Sequence, residues 1–304
     1  MRSVAKRILR AVAPAVATRL DLGRYAQDWV LPRHLEGADP SSFVPAQRAG
    51  SVGLELRPQD QLERLDRWRR TCGGTFRALR EDPLINTLCP GRDHLHNGTY
   101  PTPDAEIYAA MIADFAPRRI VEIGAGFSTL IASKVTSRQG RSCEIVVVDP
   151  EPRTDVRDRV DRIDNRHVED VASDELGLCP QTLLFIDSSH IARAGGDIPH
   201  LFNSILPAAP AGLLVHVHDV FIPYDYPPFC QQHLYTEQYV LQALLAHSPR
   251  YRVLFATHYM SREHPEPMRA TFGEVVARDD LYYGSSFWFR IEPQGDGTPA
   301  ATGP

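Results

Sequence analysis

The chain predicts an α/β fold with a doubly wound, mostly parallel sheet and a helical accessory region at its N-terminus. Three observations carry this. Short β-branched runs alternate with helical stretches from Arg119 onward, each run ends on a polar residue or glycine, and a glycine turn joins the first run to a helix. Alternation of that kind builds parallel strands linked by crossover helices. Strands are expected at Ile120 to Ile123, Glu144 to Val148, Leu183 to Ile186 and Leu213 to Val217. Two more, Arg252 to Ala256 and Ser286 to Ile291, are separated by a long segment containing His258 to Leu281. They are expected to close the sheet as an antiparallel pair.

The elements before the sheet have a different texture. Residues 1–100 are rich in proline and polar clusters, with one helical stretch beginning near Asp60. There Leu62, Leu65, Trp68 and Phe76 recur at roughly helical spacing, weakened at Gly73 and Gly74. These residues form the expected accessory region. The main domain is expected over 101–293 and a disordered Gly/Pro/Thr/Ala-rich tail over 294–304. From Thr102, acids following a proline and then Ile107, Met111, Ile112 and Phe115 predict a helix leading into the core. The later stretch EQYVLQALLAH, with Tyr239, Leu241, Leu244 and Leu245, predicts a structural helix.

Composition removes several classes. With 304 residues, 43% hydrophobic, the chain can bury a large core, and 33 basic against 38 acidic residues leave a net charge of -5. That charge provides no field to hold a polyanion, so no nucleic acid partner is expected. Cys72, Cys89, Cys143, Cys179 and Cys230 are widely spread with no C-x-x-C pair, which suggests neither a disulfide framework nor a cysteine zinc site. A cytoplasmic location is the simplest expectation. No apolar run approaches the roughly 20 residues a spanning helix needs. The N-terminal MRSVAKRILRAVAPAVATRL admits three readings: a surface helix, a basic amphipathic helix in peripheral contact with anionic lipid through Val4, Ile8 and Leu9, or a signal peptide broken by Lys6, Arg7, Arg10 and Pro14. Asn97-Gly98-Thr99 is a sequon with meaning only under secretion.

The informative segment is RRIVEIGAGFSTLIASKV. Gly124 and Gly126 let the backbone turn and approach a ligand, and the following helix presents free N–H groups. The third small position of a dinucleotide loop is filled by Thr129. Glu122 places a carboxylate just before the turn, which repels a diphosphate and suits an ammonium or sulfonium charge. A strand-end acid paired with an arginine is the alternative reading.

VEIGAG, from Val121 to Gly126, resembles the first motif of class I S-adenosylmethionine-dependent methyltransferases. The resemblance implies a Rossmann-like, mostly parallel sheet of seven strands over roughly Asn97 to Ile291. It implies S-adenosyl-L-methionine as cofactor, with Glu122, Gly124, Gly126 and Ser128 around its methionine part, Asp149 on its ribose and Asp170 near its adenine. Glu169 neighbours Asp170 in that loop, and a solvated acid or helix cap is an equal reading of Asp170.

Methyl transfer to a hydroxyl requires an aligned acceptor and a group that takes its proton. Asp187 and Asp219 follow two parallel strands at their carboxyl ends, where open α/β sheets bind ligands. The pattern F-I-D-x-S-H followed by a strand ending His-Asp is similar to a bacterial subgroup of small-molecule O-methyltransferases that includes macrolide-sugar and catechol-type relatives. That similarity implies His190 as base beside Asp187, and Asp187 and Asp219 as ligands of Mg²⁺. The chain departs from the subgroup where a second acid or amide commonly follows the later aspartate: here Val220 follows and His218 precedes. His216 and His218 alternate on one strand face, while Asp219 is expected to point with Val215 and Val217. The loop VFIPYDYPPF sets Phe221, Tyr224, Tyr226 and Phe229 either as an acceptor wall or as packing. The arginine-heavy usage, with only Lys6 and Lys134 as lysines, is that of a GC-rich genome and leaves no Tyr-x-x-x-Lys pair for a nicotinamide oxidoreductase. Such an oxidoreductase, a sugar-nucleotide enzyme, and a non-catalytic scaffold of the same fold are the alternative functions.

Overall fold

The computed structural model describes residues 52–140, 142–152, 156–227, 230–231, 233–273 and 284–293. The basic N-terminal segment, the tail from Gln294, and Phe229 lie outside these described residues. The chain divides into two units, Met1–Gln47 with Tyr226–Tyr235, and Arg48–Asp225 with Thr236–Pro304. In the smaller unit Tyr226 and Tyr235 meet edge to face, their ring centroids 6.0 Å apart.

The larger unit holds the sheet. In chain order its elements are α1 (Pro58–Thr71), α2 (Gly73–Arg80), α3 (Asp104–Phe115), β1 (Arg119–Ile123), α4 (Phe127–Gln139), β2 (Glu144–Val148), β3 (Arg162–Asp164) and β4 (Thr182–Ile186). They continue with α5 (Asp197–His200, extended by a π-helical Leu201–Ile205), β5 (Leu214–Val217), α6 (Glu237–His247), β6 (Tyr251–Ala256), α7 (Thr257–Glu263), α8 (Pro265–Phe272) and β7 (Phe287–Ile291). The seven strands run in the order β3-β2-β1-β4-β5-β7-β6. β1 to β5 are parallel, and β7 runs antiparallel to both β5 and β6. This is the doubly wound sheet expected from the alternating runs. β3, with three residues, is too short to announce itself by periodicity.

Register explains what is buried. Glu122 pairs with Phe185, Phe185 with His216, and His216 with Trp288, so these four side chains form one row on one face of the sheet. Tyr108 of α3 packs over that row, 4.9 Å from Phe185 and 5.9 Å from Trp288 between ring centroids. Burying aromatic rings of this size stabilises by about 1.5–3 kcal/mol each. On the same face, at the antiparallel edge, Trp68 of α1 meets Phe255, the register partner of Trp288, at 5.1 Å, and Phe76 of α2 meets Phe272 at 5.7 Å. The side chain of Gln61 accepts from the Ala256 N–H at 2.8 Å, which ties α1 to the end of β6.

The strand order reverses between β1 and β4, the position at whose carboxyl ends open α/β sheets bind ligands. The two ends are locked together: the Asp187 N–H donates to the Ile123 carbonyl at 3.0 Å, and the His218 N–H to the Ile186 carbonyl at 2.9 Å. Gly124 has φ +91°, and a Cβ there would lie 2.0 Å from the Asp187 carbonyl oxygen. Only glycine fits. Gly124→Ala is therefore expected to cost on the order of 3 kcal/mol and to lower the melting temperature by about 5–10 °C. Gly126, where a Cβ meets nothing within 4 Å, should tolerate alanine at far smaller cost. Thermal unfolding followed by circular dichroism compares the two, and equal losses would contradict the packing described.

Candidate active site

The glycine turn is braced from three sides. Gly124 N–H donates to the Val148 carbonyl at 3.0 Å. Ala125 N–H donates to Asp149 Oδ2 at 2.8 Å, while Asp149 Oδ1 accepts from Glu151 N–H at 2.7 Å. Asp149 thus sits half-buried against the loop at the end of β2. Gly126 N–H donates to Thr129 Oγ1 at 3.2 Å, and the Thr129 hydroxyl donates onward to Glu122. A threonine in the third small position therefore has a structural cause: it is the strut between the turn and the strand beneath it. The space in front of Gly126 is open: a Cβ there meets nothing within 4 Å.

Glu122 faces inward. It is fully buried, accepts from Tyr108 Oη at 2.8 Å on one oxygen and from Thr129 on the other, and lies in the aromatic row. Burial pushes its pKa up to about 7, against the hydrogen bonds from Thr129, Tyr108 and the buried Ser128 that favour the charged form. The sequence suggested an acid open to a ligand; strand parity instead aims it under α3, where it supports the turn from behind. Asp170 is exposed at the end of the short turn Val168–Asp170, and Glu169 reaches Arg193 at 3.6 Å.

Next to the turn, four side chains meet. His190 Nε2 lies 3.4 Å from Asp187 Oδ1 and 3.6 Å from Asp219 Oδ2. His218 Nδ1 lies 3.8 Å from Asp187 Oδ1 and 3.6 Å from Asp219 Oδ1. Asp219 joins this group because its backbone turns into the left-handed region, φ 54°. Strict alternation would aim its side chain with Val217, so the sequence expectation is corrected by one dihedral angle. His190 also has positive φ, 61°. Aspartate and histidine tolerate that region better than most residues, and strain of this kind gathers at functional sites.

Each imidazole has a buried acid behind it. His190 Nδ1 lies 2.5 Å from Glu237 Oε1, at the first residue of α6. His218 Nε2 lies 3.5 Å from Asp104 Oδ2, and Ser285 Oγ is 3.3 Å from the same nitrogen and donates to Asp219 Oδ1 at 2.9 Å. Asp104, at the start of α3, accepts the backbone N–H groups of Ser285 and Ser286 at 2.8 and 3.0 Å. Burial alone would push His190 down, but Glu237, Asp219 and Asp187 outweigh it and hold it up at about 9. His218 is likewise held well above its ordinary value by Asp219, Asp187 and Asp104, against burial. Burial works against the charged form of Asp187, yet His218 and His190 keep it well below the usual carboxylate range. His216 differs. Fully buried on Phe185 at 4.1 Å and bonded to Ser286 Oγ at 3.0 Å, it is pushed well below its ordinary value by burial and is a neutral core residue.

Three members of this cluster were not legible as site residues. Glu237 opens the helix that the sequence assigned a structural role, Asp104 reads as an ordinary helix-start acid, and Ser285 has no motif around it. Their partners lie far away in sequence, so no local pattern marks them. The proline-rich loop presents no exposed aromatic wall among the described residues: Phe221, Tyr224 and Tyr226 are all buried, and Arg262 covers the Tyr224 ring at 4.6 Å.

No family model matches the chain. Among curated proteins, an uncharacterized protein of Archaeoglobus fulgidus is 34% identical over 105 residues, 33% of this chain and 44% of that protein, so the chain spans less than half of that relative's length. Among solved structures, the chain is similar to the SAH-bound methyltransferase PaMTH1 of Podospora anserina, with 17% identity over 87% of this chain and 99% of that one, TM-score 0.40. It is also similar to an O-methyltransferase from Bacillus cereus in complex with SAH, with 13% identity over 90% and 97% of the two chains, TM-score 0.40.

Glu122 supplies a pH test. Its folded pKa of about 7 lies above the ordinary 4.5, so its contribution to stability is fully present below 4.5 and is lost as pH rises through 7. The loss amounts to on the order of 3 kcal/mol. Glu122→Gln should flatten the stability profile between pH 5 and 8 relative to the parent, as measured by urea unfolding across that range. Parallel profiles would show that this carboxyl does not titrate there.

Proposed function

We propose that this chain is an S-adenosylmethionine-dependent methyltransferase acting on a hydroxyl of a small-molecule acceptor. One observation carries the reading: the Gly124 backbone lies so close to the Asp187 carbonyl that the glycine turn and the aspartate–histidine cluster stand side by side at the ends of β1 and β4. A ligand seated on the turn has its reactive end beside Asp187. The residues present fit the cofactor. Gly126 leaves open space beside the turn, the first turn of α4 offers N–H groups, and half-buried Asp149 stands at the end of β2 for a ribose. Asp149, hydrogen-bonded to the turn, places a carboxylate beside it, which suits a cation and opposes a diphosphate.

S-adenosylmethionine, when bound, supplies a methyl group on a positively charged sulfur. The protein's part is to align the acceptor and take its proton. Asp187 is the most open member of the cluster, its side chain 36% exposed against 9% for His190. An acceptor hydroxyl would hydrogen-bond to Asp187, with the His190 ring at its flank. The acceptor's hydroxyl proton would be taken at His190 Nε2 by the neutral imidazole, the minority form below about pH 9, beside Asp187. Glu237 holds His190 from behind, so Nε2 stays aimed at Asp187.

The Mg²⁺ implied by the subgroup resemblance has no part in this proposal. Mg²⁺ demands near-octahedral oxygen ligands. Here the oxygens of Asp187 and Asp219 already face two imidazoles, and among the described residues no group of three or more His, Cys, Asp or Glu side chains is arranged to hold a metal.

Calorimetric titration with S-adenosylhomocysteine should show one site per chain, weakened at least about tenfold by Gly126→Val, with the melting temperature little changed. Binding of NAD in place of S-adenosylhomocysteine would overturn the reading in favour of an oxidoreductase. Incubating the protein with methyl-labelled cofactor and a metabolite extract should label a hydroxylated compound. Asp187→Asn should lower that labelling by about a hundredfold or more while leaving S-adenosylhomocysteine binding intact. Full labelling by this variant would remove Asp187 from the chemistry.

A further inference from the structure

We propose that His218, together with His190, takes the place between Asp187 and Asp219 that a divalent cation occupies in sites built on two strand-end aspartates, so that this site positions its ligand without binding Mg²⁺. The inference rests on the methyltransferase reading only for its meaning in catalysis; the geometry and the test stand apart from it. Each ring reaches both carboxylates, giving four nitrogen–oxygen contacts between 3.4 and 3.8 Å in one place. Neither ring is a loose surface group, since both are at least nine-tenths buried.

Each is also built in from behind. Glu237 backs His190, and Asp104 with Ser285 backs His218. Those two backing acids lie at the first residues of α6 and α3, where the helix termini favour negative charge. Asp104 takes two backbone N–H groups in addition. The arrangement therefore pairs two front carboxylates with two imidazoles, while helix ends help to hold the rear carboxylates. A cation seated on the Asp187 and Asp219 oxygens would find two imidazole rings already within 3.8 Å of those oxygens, and imidazole is a poor partner for a hard ion. His218 also stands next to Asp219, so one substitution there converts the His-Asp pair at the strand end into two adjacent acids.

The test uses the full chain, stripped of metal, titrated with MnCl₂ and with MgCl₂ and read by calorimetry and by the Mn²⁺ paramagnetic resonance signal. Wild type should show no saturable site. His218→Glu should gain one Mn²⁺ per chain, bound at least about tenfold more tightly than by wild type, and adding Asp219→Asn should remove it. Saturable binding by wild type that Asp187→Asn or Asp219→Asn abolishes would overturn the proposal whether or not the His218→Glu chain folds. A folded His218→Glu chain with no gain would overturn it as well. Titration of the same samples with S-adenosylhomocysteine separates the two ideas: its failure to bind strikes at the methyltransferase reading and leaves the metal result standing.

Discussion

The contact between the glycine turn after β1 and the backbone of Asp187 governs the rest of the larger unit. Adjacent parallel strands stand under 5 Å apart, and a turn leaving one of them must pass over the end of the other. With a hydrogen at Gly124 the passage closes to van der Waals contact; with a methyl it does not close at all. Because it closes, the ladder continues past the strands through Asp187 N–H and His218 N–H. The acids and imidazoles at the ends of β4 and β5 consequently arrive beside the turn as one group.

Polar groups in this structure are arranged in two layers. Beneath the turn, Glu122, Tyr108 and Thr129 form a closed set that supports backbone geometry and has no opening to a ligand. At the strand ends, Asp187 and Asp219 keep partial exposure while the groups that hold them are buried. The difference is one of depth along the same sheet face: Glu122, Phe185 and His216 share a row, and Asp187 and His218 belong to the next one. Charges in the deeper row are disfavoured by lost hydration. In the outer row they survive because opposite charges face them at short range.

The cluster also shows why residue type alone is a weak guide to role. His216 and His218 are two positions apart on one strand face and chemically identical. One is neutral in the aromatic core and the other is surrounded by acids. Asp187 and Asp219 both follow a strand, yet only the second needs a left-handed backbone to join the group. The subgroup resemblance implies a cation between those aspartates; in this structure two imidazoles lie within 3.8 Å of their oxygens.

The parallel run of strands with its antiparallel closing pair, the turn at Gly124 and the positions of Asp149, Asp187, His190 and Asp219 near strand ends were legible in the amino-acid order. They depend on periodicity, on the backbone freedom of glycine and on the rule that parallel sheets place ligands at their carboxyl ends, and each of these is local. Strand β3 escaped because three residues carry no period. The inward aim of Glu122, the turning of Asp219 and the recruitment of Glu237, Asp104 and Ser285 belong to the tertiary structure alone. Each depends on which distant segment is brought against the strand ends, and contacts between residues as far apart as Asp104 and Ser285 leave no trace in the neighbours of either.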